Sequence, residues 1–360
     1  VFVAWRDLRF AKGRFALMGA VVVLITLLVG LLSGLTAGLG EQNVSAITGL
    51  PADKIVFAAP DEGQSLSYAN SAVTETQRKQ WAETPGVTGA EPLGIATTKA
   101  TAGNRSAGIS VFGVRSGSKL APDSGMLTAE SVTLSSSAAE DLGVRSGDTI
   151  SVAGRPLTVA AVSGDAWFSH TPVVWASLDV WARTAPPVGG APTATVLALT
   201  TTGDVDFAAT DGTAGTKTVS KDESLSAIGS YTSENGSLQL MRGFLFAISA
   251  LVIGAFFTVW TIQRSGDIAV LKALGASTAF LLKDALGQAV VLLVGGTAIG
   301  TALAVGLGAV VAGSAVPFLL TPATVLVPAV VMILLGALGA GLSVRRITSV
   351  DPLTALGSAR

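Results

Sequence analysis

Hydrophobic positions along this chain fall into two regimes. Near both ends they run together in four stretches without a charged side chain, Phe15–Gly38, Gly243–Ile262, Ala285–Val311 and Ala323–Val344. About 20 apolar residues in a helix span the ~30 Å of bilayer hydrocarbon, so each stretch predicts a transmembrane helix. Four of them in one chain argue against helices buried in a soluble core. Between the first and second stretches, apolar and polar positions interleave in short runs. Lys54–Ala59, Gly108–Val114, Thr149–Val152, Leu157–Val162, Val173–Ala176 and Thr195–Thr200 predict strands, and Ala153-Gly154-Arg155-Pro156 turns one hairpin. Thr74–Glu83 and Ser136–Leu142 predict short helices, the second stopped by Gly143.

Composition agrees with a membrane chain. Only 13% of the 360 residues are charged, about half the usual share of a soluble domain. The placement of positive charge predicts orientation. Arg6, Arg9, Lys12 and Arg14 precede the first span, Arg264, Lys272 and Lys283 lie between the second and third, and Arg345, Arg346 and Arg360 follow the fourth. The positive-inside rule puts these segments and both termini in the cytoplasm of a multi-pass plasma-membrane protein. The expected fold class is an α-helical membrane domain with four transmembrane helices plus a mixed α+β extracytoplasmic domain inserted between helices 1 and 2. The expected division is 1–40 (N-terminal segment and first span), 41–240 (outer domain), 241–344 (three spans) and 345–360 (cytoplasmic tail). The first stretch is too long for a signal-peptide core and reads as a retained span.

Several chemistries are excluded. Cysteine is absent, which removes disulfides and thiolate chemistry. A net charge of −1 offers no field for nucleic acid. His170 is the only histidine, and Asp141, Asp148 and Asp165 lack the spacing of a calcium loop. No catalytic set and no metal site is expected; His170 reads as a polar loop residue, with iron ligation the alternative.

Two patterns remain. Gly30, Gly34 and Gly38 recur at four-residue spacing in the first span, a stripe that admits close helix packing, here expected at a contact between two copies, with packing inside the chain as the alternative. The loop after the second span holds Asp267, suited to start a short helix, and Gly275, suited to end it, with Ile268, Leu271 and Leu274 on its apolar face. From the residues alone this segment fits a helix lying in the headgroups as well as a knob for a cytoplasmic partner.

Arg264-Ser265-Gly266-Asp267-Ile268-Ala269-Val270-Leu271-Lys272-Ala273-Leu274-Gly275-Ala276-Ser277 resembles the R-x-x-E-I-x-x-L-K-A-[LI]-G-A-S/T stretch of FtsX-like, MacB-type ABC transporter permeases, with Asp267 in place of the commoner Glu. The ending Arg345-Arg346-Ile347-Thr348-Ser349-Val350-Asp351-Pro352-Leu353-Thr354-Ala355-Leu356 is similar to that family's R-R-x-x-x-x-D-P-x-x-A-L. The resemblance implies a homodimer in membrane lipid, bound to two separate ATPase subunits that hold ATP and magnesium. It makes 267–274 the coupling helix, with Asp267, Ile268, Leu271, Lys272, Leu274 and Gly275 as docking residues. No G-x-x-x-x-G-K-[ST] loop is present, so this chain is expected to be a transport subunit rather than an enzyme.

Ala4-Trp5-Arg6-Asp7-Leu8-Arg9-Phe10 and Gly34-Leu35-Thr36-Ala37-Gly38-Leu39-Gly40 are similar to the HrtB-like haem-exporting branch. That likeness implies haem as substrate, bound near the outer ends of spans 1 and 2. Glu41, Tyr231, Glu234 and Met241 are then candidate iron ligands, and Arg242 a partner for a propionate. Other readings are a permease that transmits motion to an outer enzyme, and an exporter of peptide, lipoprotein or another amphipathic compound.

Overall fold

The computed structural model describes residues 12–184, 193–263, 266, 270, 272, 274–311 and 316–345. Their contacts separate two units. One takes the described residues up to Gly38 and from Ser237 onward; the other is Leu39–Gly236.

Helix α1 (Lys12–Thr48) comes first and contributes to both units. Strand β1 (Lys54–Ala58) buries both faces, with Ile55 and Phe57 in one core and Val56 in another. Helix α2 (Glu75–Glu83) starts at Thr74, whose hydroxyl accepts from the Gln77 N–H while the Gln77 side chain accepts from the Thr74 N–H. Strands β2 (Val87–Ala102) and β3 (Arg105–Val114) pair as a long hairpin. Next come β4 (Ser131–Leu134), α3 (Ser136–Leu142), β5 (Thr149–Val152), β6 (Arg155–Val162), β7 (Trp167–Phe168), β8 (Thr171–Ser177) and α4 (Leu178–Thr184). Gly143 ends α3 in the left-handed conformation, as its position predicts. The unit closes with β9 (Val196–Thr201), α5 (Phe207–Ala214), β10 (Thr216–Ser220) and α6 (Lys221–Ser224). Three long helices follow, α7 (Gly229–Gln263), α8 (Thr278–Val311) and α9 (Pro322–Arg345).

The strands form one sheet in the order β10-β1-β9-β2-β3-β8-β4-β6-β5, with β7 beside β8. Strand β2 holds its halves together. Val87–Leu93 pairs with β9, and Gly94–Ala102 pairs with β3. The sequence pattern gives no strand there, because Gly89, Pro92 and Gly94 read as breakers. Pro92 is tolerated because β2 has only β9 beside it at that point, so its missing N–H interrupts no second ladder. Gly94 is required by packing. The Trp181 indole of α4 lies against Gly94 of β2 and Gly113 of β3, and a Cβ at either position would enter the side chain.

In the other unit, α1, α7, α8 and α9 are each long and apolar enough to cross a membrane. Glycines set their spacing. Gly30 faces Ala304 of α8, Gly34 faces the Phe318 ring, and Gly38 faces the Pro317 carbonyl. Leu319 N–H donates to the Gly34 carbonyl at 3.1 Å. The stripe expected to meet a second copy is thus occupied within the chain, because Phe318 and its neighbours fill the space the missing side chains leave. Helix α8 supplies a matching row. Gly296 meets Val22, Gly300 meets Thr26, and Gly308 meets the same Phe318 ring as Gly34.

Gly94→Val is expected to force the Trp181 indole out of its seat and to destabilise the sheet by roughly 1–3 kcal/mol. Thermal unfolding followed by the near-ultraviolet circular dichroism of tryptophan checks this; an unchanged midpoint would show that the contact carries no weight.

Candidate functional site

The two-residue turn between β7 and β8 puts two consecutive non-glycine residues at positive φ. Phe168 pairs with Thr171, leaving Ser169 and His170 as the turn. Both adopt positive φ, 50° and 62°. A tight hairpin with this twist favours Asn-Gly or Gly-Gly, and side-chain-bearing residues there cost about 1–3 kcal/mol each. Such strain persists only where the surroundings hold it in place.

Helix α1 does so. The Ser169 N–H donates to the Asn43 carbonyl and the His170 N–H to the Gln42 carbonyl, each at 3.0 Å. The Trp167 N–H donates to Ser45 Oγ at 2.9 Å. Helix α1 continues ten residues past the apolar stretch that ends at Gly38, and its last turns are the surface on which the hairpin sits.

The side chains then meet the start of α7. His170 Nε2 lies 2.8 Å from Glu234 Oε2 and 3.2 Å from Asn43 Nδ2. Ser230 Oγ lies 2.7 Å from Asn43 Oδ1 and 2.8 Å from Ser169 Oγ. A carboxylate only accepts, so Nε2 carries a proton toward Glu234. The same nitrogen cannot also accept from the Asn43 amide. The Asn43 contact becomes a hydrogen bond when the amide turns its oxygen toward the ring and Ser230 accepts from its NH2. Asn43 is buried while Glu234 is partly exposed, so the cluster has a dry inner end and a wet outer end. His170 Nδ1 has no partner among the described residues. An imidazole oriented by a carboxylate through one nitrogen and open at the other is suited to bind a Lewis acid.

The structure distributes the sequence-expected residues as follows. Glu234 joins the cluster. Tyr231, one turn earlier on α7, packs against the apolar core beside the hairpin. Glu41 is exposed on α1. Met241 is exposed, and Arg242 lies over the Phe246 ring at 6.0 Å, both further along α7. His170, read from sequence as a loop residue, is the centre of the cluster, and Asn43, Ser169 and Ser230 were not foreseen. The contacts among α1, the hairpin and α7 span 61 to 187 residues of sequence, so only the fold brings these side chains together.

Of the residues expected to couple to an ATPase, Asp267, Ile268 and Leu271 lie outside the described residues, as does the 346–360 tail. Of the rest, Leu274 is 80% exposed. Gly275 has φ 93°, and its N–H donates to the Lys272 carbonyl, the left-handed stop its position predicts. Ser277 Oγ accepts from the Phe280 N–H and starts α8.

Residues 240–352 match the FtsX-like permease C-terminal domain. Over 99% of both chains, the protein is 25% identical to a Staphylococcus epidermidis protein provisionally named a hemin transport system permease protein, HrtB. It is 23% identical, again over 99% of both, to an uncharacterized ABC transporter permease of Mycobacterium bovis. The periplasmic region of MacB from Actinobacillus actinomycetemcomitans aligns with 49% of this chain and 92% of that one, at 13% identity and a TM-score of 0.35. The resemblance is therefore to FtsX-like, HrtB-type ABC transporter permeases, in a multi-pass membrane protein.

Replacing His170 by Ala removes the link to Glu234 and keeps the cost of a Cβ at positive φ, whereas His170→Gly removes the link and relieves that cost. With Glu234 partly in solvent, the link is worth about 1 kcal/mol. Amide hydrogen exchange over 229–236 should rise roughly fivefold in both variants, and more in the alanine one. Exchange equal to the wild type in both would mean the cluster does not hold the start of α7.

Proposed function

We propose, from the FtsX-like permease domain of residues 240–352, that this chain is the permease subunit of an ATP-driven efflux transporter whose substrate is haem. The observation that carries the substrate reading is likeness along nearly the whole chain to proteins named for hemin transport. The permease reading rests on the domain match and on four helices able to cross a bilayer.

The chemistry near the start of α7 supports haem. Iron accepts a phenolate, carboxylate, thioether or imidazole as axial ligand. Tyr231, Glu234 and Met241 recur along α7, and Glu41 lies on α1. The His170–Glu234 pair adds an oriented imidazole. Glu234 as a ligand would exchange His170 for iron, so the two act as alternatives at one position. Arg242 supplies a guanidinium for a propionate.

Work on the substrate is proposed to come from two ATPase subunits that hold ATP and magnesium, docked on 267–274 of a homodimer. An exposed leucine just before a helix-ending glycine is the kind of apolar point that an ATPase groove would cover. Orientation follows the basic residues, with 267–274 and both termini in the cytoplasm. Binding of ATP would then favour one arrangement of the helices and hydrolysis the other, so the permease converts a difference in affinity between two states into release of haem.

Haemin added to the detergent-purified protein is expected to show a shifted Soret band. Glu234→Ala or Met241→Ala should weaken binding by roughly tenfold, about 1.4 kcal/mol. Binding undiminished in both variants would remove these ligands from the account. Leu274→Asp should abolish co-purification of the ATPase subunit while leaving the permease at its normal level in the membrane; retained co-purification would place the docking elsewhere.

A further inference from the structure

A cavity of about 370 Å³ lies within the Leu39–Gly236 unit, apart from the candidate haem ligands. It opens between the 67–72 loop, β2, the end of β7, Trp181 of α4 and the first residue of α7. Its size falls in the range of small-molecule sites. A 150 Å³ apolar cavity takes one benzene, so this one has room for roughly two or three rings.

The walls specify the ligand's character. Tyr68, Phe168 and Trp181 contribute aromatic surface, and Ile95 and Ile228 aliphatic surface. No charged residue lines it. Tyr68 stays neutral, because burial pushes its phenol far above the ordinary range while its hydroxyl donates to Ser224 Oγ. Most wall hydroxyls are already engaged. Ser71 Oγ donates to the Thr195 carbonyl at 2.7 Å, and Thr195 Oγ1 accepts from the Ile95 N–H at 2.8 Å. Ser67 Oγ accepts from the Ala69 N–H, and its own proton has no acceptor among the described residues. The Trp181 indole N–H is a second donor without a partner among the described residues, but it is buried, so the cavity offers aromatic walls, the Ser67 hydroxyl as its spare hydroxyl donor and no counter-charge. Haem, with two propionates, is a poor match, so this site is separate from the proposed transport path.

We propose that this cavity binds a flat, uncharged aromatic molecule of two or three rings that carries one hydrogen-bond acceptor, received by the Ser67 hydroxyl. Such a ligand lies against Ile228 and Gly229 and so touches the first residue of α7, the helix that bears Tyr231 and Glu234. It also abuts Ser169, the member of the polar cluster that faces the cavity wall. Occupancy would steady the start of α7 without contacting the transported molecule.

The test uses the full chain in nanodiscs with 9-fluorenone, a three-ring ketone, as probe, read by amide hydrogen exchange. At roughly four times its dissociation constant the probe should slow local exchange over 66–73 and 225–230 about fivefold. Fluorene, which lacks the carbonyl, should protect less at the same concentration, as should the ketone on Ser67→Ala. Ala72→Phe and Ala69→Phe each place a ring at the wall; protection should disappear in whichever of them keeps wild-type exchange elsewhere. No protection of the wild type, or protection undiminished by filling, would overturn the proposal. Haemin binding is measured in parallel, so failure here leaves the transport reading standing and failure there leaves this one.

Discussion

A bilayer core offers no hydrogen-bond partner to a peptide group, and that constraint governs the rest of the structure. Every backbone N–H and C=O at membrane depth must be satisfied within a helix. Lipid is also as apolar as leucine, so helices gain little from hiding leucines and pack instead through close backbone approach. The chain follows both rules. Leu251 and Leu342 are each 72% exposed on their helices, surfaces that only lipid or a second copy covers. The tight contacts are made by glycine, with Gly30 and Gly34 of α1 facing Ala304 and Phe318, and Gly254 of α7 against Gly339 of α9.

The same constraint explains where chemistry sits. Within the apolar stretches of α1 and α7 no charge is affordable, so polar function gathers where the helices pass into polar sequence. There α1 presents Asn43 and Ser45, α7 presents Ser230 and Glu234, and the strained Ser169-His170 turn lies between them. Each of the three would be poorly ordered alone. The turn is held by carbonyls of α1, the Asn43 amide by Ser230, and the imidazole by Glu234.

Much of this was legible in sequence because it is local. Uncharged runs gave the apolar parts of the four long helices, and short apolar runs gave β1, β5 and β9 to within one residue and β3, β6 and β8 to within three. Caps gave α2 and α3. What was missed depends on distant partners. Strand β2 carries Pro92 and two glycines, and is a strand only because β9, β3 and Trp181 make use of those gaps. The extension of α1 to Thr48 depends on a hairpin 120 residues away. The glycine stripe of α1 was visible, but its partner, Phe318, was not, since spacing shows that a helix is smooth and not what lies against it. Of the candidate haem ligands, Glu234 stands in a cluster whose centre, His170, sequence gave no reason to favour.

The account is tested most directly by haem itself. Cells lacking this chain are loaded with haemin, washed, and followed for cell-associated haem, alongside cells in which the chain is restored with its ATPase or with an ATPase unable to hydrolyse ATP. Rapid loss of haem only in the strain with active ATPase is the predicted result. Equal retention in all three would contradict haem efflux and leave a permease for a different cargo.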